Sequence, residues 1–266
     1  MKRNILLLCF LFFVLSWFSA GYGIYYRIPY FARPAALGEA FVSISEDATS
    51  IFYNPAGLST KTISFSLTEW FLDTRAGSVA GSYNYKNYFT FGAGFSYFSY
   101  GQLRYFDEEG NPGDYFSAGL WHGKISLSKQ FFNLVSIGIA PKIISQKIDT
   151  ISATKTGFDI GVISSIKLLN VGVSIRDLGI DELYDFGISM KPLRDLLLTT
   201  DINYQDEIKF GAGAEYYFKP LYFRVGYNNE RISGGVGYTK SGFSFDYAIT
   251  DYGQIGLTHQ FSITIK

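Results

Sequence analysis

The feature that most restricts what this chain can become is its period of two. Phe89, Phe91, Ala93, Phe95 and Tyr97 share one face of an extended run, while Thr90, Gly92, Gly94 and Ser96 share the other. The same sorting returns where Phe210, Ala212, Ala214, Tyr216 and Phe218 oppose Lys209, Gly211, Gly213 and Glu215. It returns again for Phe223, Val225 and Tyr227 against Arg224, Gly226 and Asn228, and for Phe261, Ile263 and Ile265 against Ser262 and Thr264. Successive side chains of a strand point to opposite faces, so one face is apolar and aromatic and the other is small, polar or charged. Beyond about residue 60 no stretch reaches helical length with apolar positions three and four apart.

A soluble β-sandwich also alternates, but its polar face meets water and rarely sets Gly, Ser, Lys, Asp and Arg against so dense an aromatic row. A membrane barrel turns the apolar face to lipid and the polar face to its interior, and it closes so that every backbone group is paired. The counts agree with strands: 25 Phe, 21 Tyr and 28 Gly against two Met in 266 residues. Segments between turn signals number about fourteen, each near the roughly 9–11 residues a tilted strand needs to cross hydrocarbon. The expected fold class is therefore all-β, a transmembrane antiparallel barrel.

Three divisions of the chain follow. Residues 1–23 read as a signal peptide: Lys2 and Arg3 precede an apolar run from Ile5 to Val14, and Ser19, Ala20, Gly21 and Gly23 offer small residues for cleavage. Residues 24–60 break the alternation and read as a plug or hatch segment, and residues 61–266 as the barrel. Cys9 lies in the leader, so the exported chain has no thiol for a disulfide or for nucleophilic chemistry. Lys+Arg and Asp+Glu balance at 23 each, which gives no basic surplus for nucleic acid. Destination is the outer membrane of a diderm bacterium, with its lipid as the first partner.

Within the hatch, Ser45 is placed to cap a short helix, Glu46 and Asp47 suit its first turn, and Ala48, Ile51 and Phe52 share a face. Pro55 and Gly57 end it, and Asn54, held extended before a proline, can bond neighbouring backbone and fix a turn. Lumen-side glycines would let this segment approach the wall closely. The ionisable residues expected to line the lumen are Asp159, Arg176, Asp201, Lys209, Glu215, Arg224 and Asp246, since charge at membrane depth needs a partner or water. His122 and His259, the two histidines, lack a second ligand at metal spacing, so no metal or other cofactor is expected. The Gly-x-Gly pairs at 92–94 and 211–213 open no helix, and His122 with Ser126 or Ser128 reflects strand periodicity, so no catalytic residue is assigned.

The stretch Arg33-Pro34-Ala35-Ala36-Leu37-Gly38-Glu39-Ala40-Phe41-Val42-Ser43-Ile44-Ser45-Glu46-Asp47-Ala48, followed by Asn54-Pro55-Ala56-Gly57-Leu58, resembles the N-terminal signature of the PorV/PorQ branch of the FadL-like outer-membrane transporters. Phe210–Tyr216, Arg224–Tyr227, Ile232–Gly237, Asp246–Ile249 and Gly256–His259 resemble that family's C-terminal half. The resemblance implies a fourteen-stranded barrel in which Asn54, Pro55, Ala56 and Gly57 form the turn of a lumenal hatch. It also implies passage of small hydrophobic compounds such as long-chain fatty acids or, as the competing reading, a secretion component that binds cargo or partner proteins; a purely structural barrel is the third. The chain departs from the pattern in its short loops and in ending on Lys266 rather than an aromatic residue.

Overall fold

The computed structural model describes residues 28–266 apart from 72, 73, 87 and 230; the expected signal peptide lies outside the described residues. Fourteen antiparallel strands close into one barrel in which each is bonded to its sequence neighbours and the first is bonded to the last. The strands are β1 (Thr62–Glu69), β2 (Arg75–Tyr85), β3 (Phe89–Phe106), β4 (Pro112–Phe131), β5 (Val135–Ile148), β6 (Ile151–Ile166) and β7 (Leu169–Leu178). They continue with β8 (Leu183–Leu193), β9 (Leu196–Tyr204), β10 (Ile208–Phe218), β11 (Leu221–Asn228), β12 (Arg231–Lys240), β13 (Phe243–Asp251) and β14 (Leu257–Ile265). Closure is made by β1 against β14, with Phe65 opposite Ile263 and Leu67 opposite Phe261. No helix among the described residues is long and apolar enough to cross a membrane.

The alternation read from sequence is the inside–outside pattern. Phe91, Phe95 and Tyr97 are exposed on the outer face, whereas Thr90, Ser96 and Ser128 are buried on the inner one. Strand ends divide the barrel into two rims. The turn end carries Thr62, Ile265 and the tight connections β2–β3, β4–β5, β6–β7, β8–β9, β10–β11 and β12–β13; the loop end carries the others. At the loop end β3 to β6 run on for up to 20 residues, longer than the alternation alone suggests, and stand above their neighbours on one side. A register shift between Ser99 and Gln102 marks where β3 leaves the common wall.

Residues 28–58 run inside the barrel and are almost wholly buried. They hold little helix: one α-helical turn, α1 (Ala32–Ala36), and two short 3-10 turns, Ala48–Phe52 and Pro55–Gly57. The cap differs from the expected one. Asp47, not Ser45, accepts from the backbone N–H of Thr49 at 2.9 Å, because the helical turn starts two residues later than the apolar spacing implied.

Candidate functional site

The Asn54-Pro55-Ala56-Gly57 turn is built by its own first residue. Asn54 is extended, as a residue before proline prefers, and its Oδ1 accepts from the backbone N–H of Ala56 at 3.0 Å. The other end of the amide faces out of the turn: Nδ2 donates to the carbonyl of Val42 in the hatch at 2.9 Å and reaches Val162 of β6 and Val173 of β7 at 3.3 Å each. One buried side chain thus ties two hatch loops to two adjacent strands. The wall makes room with glycine, since a Cβ on Gly161 would run into Asn54 Oδ1 and one on Gly138 into the backbone of Pro55.

Charged side chains extend this attachment across the barrel. Lys124 of β4 donates to Asp159 of β6 at 2.6 Å and to the carbonyl of hatch residue Ile51 at 3.1 Å. Lys142 of β5 bridges Asp159, at 2.5 Å, and Asp177, so the cations are balanced by carboxylates in a site with almost no solvent. Arg176 forks onto Asp185 at 2.6 and 2.9 Å and sends its remaining nitrogen to the carbonyl of Phe52 at 3.2 Å. Asp201 accepts the backbone N–H groups of Phe41 and Val42 on one carboxylate oxygen, at 2.6 and 2.8 Å.

Near the turn end the pattern becomes a chain of ion pairs. Arg33 of α1 forks onto Glu215 with two bonds of 2.8 Å and meets Glu46 at 2.6 Å. Arg224 joins Glu215 to Asp246 at 2.6 and 2.7 Å, and Lys191 reaches Glu46 at 2.8 Å. Burial alone would raise the Glu46 carboxyl, but the Arg33 and Lys191 charges outweigh it and hold the group down at about 2. These residues surround a small polar cavity of about 160 Å³.

Of the lumen-lining charges named from sequence, Asp159, Arg176, Asp201, Glu215, Arg224 and Asp246 are inward and bonded to the hatch or to one another. Lys209 is set apart: it lines a cavity of about 320 Å³ at the loop end with Glu39, Tyr53 and Arg231. Reading by sequence missed Arg33, Glu46, Lys124, Lys142, Asp177 and Asp185. Lys124 could have been found, because it falls on the same parity as Ser126 and Ser128 and opposite Ile125 and Leu127. Arg33 and Glu46 could not, because Glu215 and Lys191, which hold them to the wall, lie 182 and 145 positions away.

Between the charges the hatch packs aromatic rings. Tyr30 stacks on Phe52 at 4.2 Å, Phe41 meets Tyr53 at 5.3 Å and the edge of His122 meets Phe52 at 5.7 Å. Phe98, Leu120 and Ile144 of the inner wall belong to the same buried cluster. On β3 to β6 above it, register puts Leu103 opposite Phe116, Ala118 opposite Ile148 and Ile148 opposite Ile151, all on the inner face. These upper residues are exposed or half-buried apart from Ala118, so an apolar shelf overhangs the mouth and continues down into the packed lumen. Among the described residues no group of three His, Cys, Asp or Glu could hold a metal ion.

Fold and site together define a closed fourteen-stranded barrel with an N-terminal hatch bonded into its lumen. No family model matches the chain, and no curated protein resembles it in sequence. Solved structures do resemble it. The toluene transporter TbuX of Ralstonia pickettii superposes with a TM-score of 0.67 at 14% identity over 90% of this chain and 98% of that one. The toluene transporter TodX of Pseudomonas putida gives 0.70 at 11% over 89% and 96%. A FadL homologue of Pseudomonas aeruginosa gives 0.63 at 11% over 89% and 98%. At such identity the likeness is one of fold.

Proposed function

We propose that this chain is an outer-membrane conduit for small hydrophobic compounds, gated by its hatch. The observation that carries this is the apolar surface that leads down β3 and β4 from Leu103, Tyr105 and Phe116 on the shelf, through Phe98 and Leu120, to Tyr30 and Phe52 of the hatch, with Gln146 and Lys155 beside it on β5 and β6. A water-soluble solute gains nothing from such a surface; an apolar one is drawn along it by roughly 25 cal/mol for each Å² removed from water. Fold-level likeness to toluene transporters supports the same reading and suggests monoaromatic hydrocarbons beside long-chain fatty acids as substrates. Assignment to the PorV/PorQ branch rests on the residues of the hatch and remains part of the proposal, as do export by a leader and the function of residues 24–60 as a hatch.

The hatch fills the lumen, so passage requires it to shift, with Asn54, Pro55, Ala56 and Gly57 as the turn that is released. The test is uptake of labelled toluene, a labelled long-chain fatty acid and a small polar sugar into liposomes carrying the full chain or its Asn54→Ala variant. Faster uptake of the apolar solutes, altered by the variant, is the expected result. Uptake no better than that of empty liposomes for every solute overturns it and favours a secretion component that binds cargo.

A further inference from the structure

The balanced net charge conceals a strong segregation along the barrel axis. At the turn end almost every connection carries a cation: Lys86 between β2 and β3, Lys167 between β6 and β7, Lys219 between β10 and β11, and Lys240 at the close of β12, all exposed. Lys191 and Arg194 flank the β8–β9 turn, where Asp195 is the one exposed carboxylate among the described turns of this rim. The loop end is richer in acid, with exposed acidic runs at Asp107-Glu108-Glu109, Asp181-Glu182 and Asp206-Glu207 beside the exposed cations Arg75, Arg104 and Lys147.

The basic rim is also amphiphilic. Phe132 at the tip of the β4–β5 turn is 98% exposed, and Leu168 and Leu193 are exposed on the next turns of the same rim. Lys86 lies over the Tyr85 ring at 5.5 Å and Lys129 over Phe89 at 4.8 Å, so cations and rings occupy one band. On the outer face below this band, Ile63, Tyr83, Phe91 and Ile265 border a mainly apolar groove of about 630 Å³ whose end is flanked by Lys61 and Lys266. Gly81 forms its floor, and a Cβ there would meet nothing within 4 Å.

We propose that the turn end is a binding surface for anionic phospholipid, with the Lys61–Lys266 end of the groove holding a headgroup phosphate and the groove along β1 and β2 holding an acyl chain. The occupant follows from the chemistry: exposed rings and leucines belong at the boundary between headgroup and hydrocarbon, and lysines at that depth meet phosphate. An acidic protein would match the lysines, but it would leave Phe132 and Leu168 facing water and the lipid-side groove unused. The inference assumes only that the barrel spans a bilayer, and it stands whether or not hydrophobic solutes pass through the lumen.

The test uses the full chain folded in detergent with equal amounts of phosphatidylglycerol and phosphatidylcholine of the same acyl chains, with retained lipids counted by native mass spectrometry. Phosphatidylglycerol should be retained in preference. A Lys61→Gln, Lys240→Gln, Lys266→Gln variant should lose about fivefold of that preference for each lysine removed. A Lys147→Gln, Lys155→Gln control at the loop end should leave it unchanged. Gly81→Leu, which fills open space and spares the fold, should lower retention of both lipids alike. Equal retention of both lipids by the unmodified chain overturns the proposal. So does equal loss in the loop-end control, or lysine-dependent binding of polyglutamate with no lipid preference.

Discussion

The hatch meets two very different walls. Against β4 to β13 it is held by charge and by a clasp: Lys124 and Arg176 donate to hatch carbonyls, Asp201 accepts from hatch N–H groups, Arg33 forks onto Glu215, and Asn54 inserts between β6 and β7. Against β14 and β1 its bonds are neutral. Ser262 accepts from the N–H of Ala32 at 2.8 Å, Thr62 accepts from Ala48 at 2.8 Å, and Gln260 donates to the carbonyl of Pro29 at 2.8 Å. A hydrogen bond to a charged group contributes about 1.5–3 kcal/mol, whereas a neutral one contributes roughly 0.5–1.5 kcal/mol. The hatch is therefore fastened on one side and only guided on the other, and a movement that opens a path should begin along β14 and β1.

The strongest way to break this comparison is Asp159→Ala. It strands Lys124, which holds the Ile51 carbonyl of the hatch, and Lys142 in a site with almost no solvent, and it should cost about 3–5 kcal/mol of stability at the wall that fastens the hatch. The barrel's strand signal by circular dichroism should survive while solute leakage through liposomes rises; a leak unchanged from the unmodified chain would refute the fastened wall. A smaller effect is expected from Gly161→Ala, whose methyl group displaces the Asn54 amide and should cost about 1–3 kcal/mol by overpacking. Gly81→Ala, on the outer face with open space around it, should stay within about 0.5 kcal/mol when both glycine variants are followed by thermal unfolding. If the two glycine variants unfold alike, close approach of hatch to wall is not what Gly161 provides.

The contrast between the walls also explains what could be read from sequence. The barrel was legible because its rule is local: parity along each strand separates Phe91 and Phe95 from Gly92 and Gly94, and turns punctuate it every few residues. Asn54 was legible for the same reason, since a residue before proline and two before Ala56 makes its turn without distant help. The fastened wall was not. Arg33 meets Glu215 across 182 positions and Asp201 meets Phe41 across 160, and nothing in the neighbourhood of either residue specifies its partner. The hatch was expected to be more helical than it is. Ala48–Phe52 forms only a 3-10 turn, because Pro55 and the Asn54 clasp stop it before a second turn can form.

Acid should loosen the fastened wall at its turn end. The Glu46 carboxyl is depressed from its ordinary 4.5 to about 2, against the opposing effect of burial, by Arg33 and Lys191. A depressed carboxylate contributes stability that is fully present above about pH 4.5 and is lost as pH falls toward 2. Because the side chain is 33% exposed, solvent screening reduces that contribution to roughly 1 kcal/mol. Thermal unfolding followed between pH 6 and pH 2.5 should show this loss in the unmodified chain and a flatter profile in Glu46→Gln. Parallel profiles would remove Glu46 from the set of residues that fasten the hatch.

The guided wall gives the smallest effect and the sharpest check on the direction of opening. Ser262→Ala removes the acceptor for the Ala32 N–H and the hydroxyl that donates to Ser66, and should cost about 1 kcal/mol in thermal unfolding, since both bonds are neutral. Small in stability, the change should still show in hydrogen exchange. If the hatch opens along β14 and β1, the amides of Ala32 and Ala48 should exchange faster in the variant, while those of Phe41 and Val42, held by Asp201, keep their protection. Equal acceleration at all four positions would mean that the hatch moves as one body and that the two walls, despite their different chemistry, release it together.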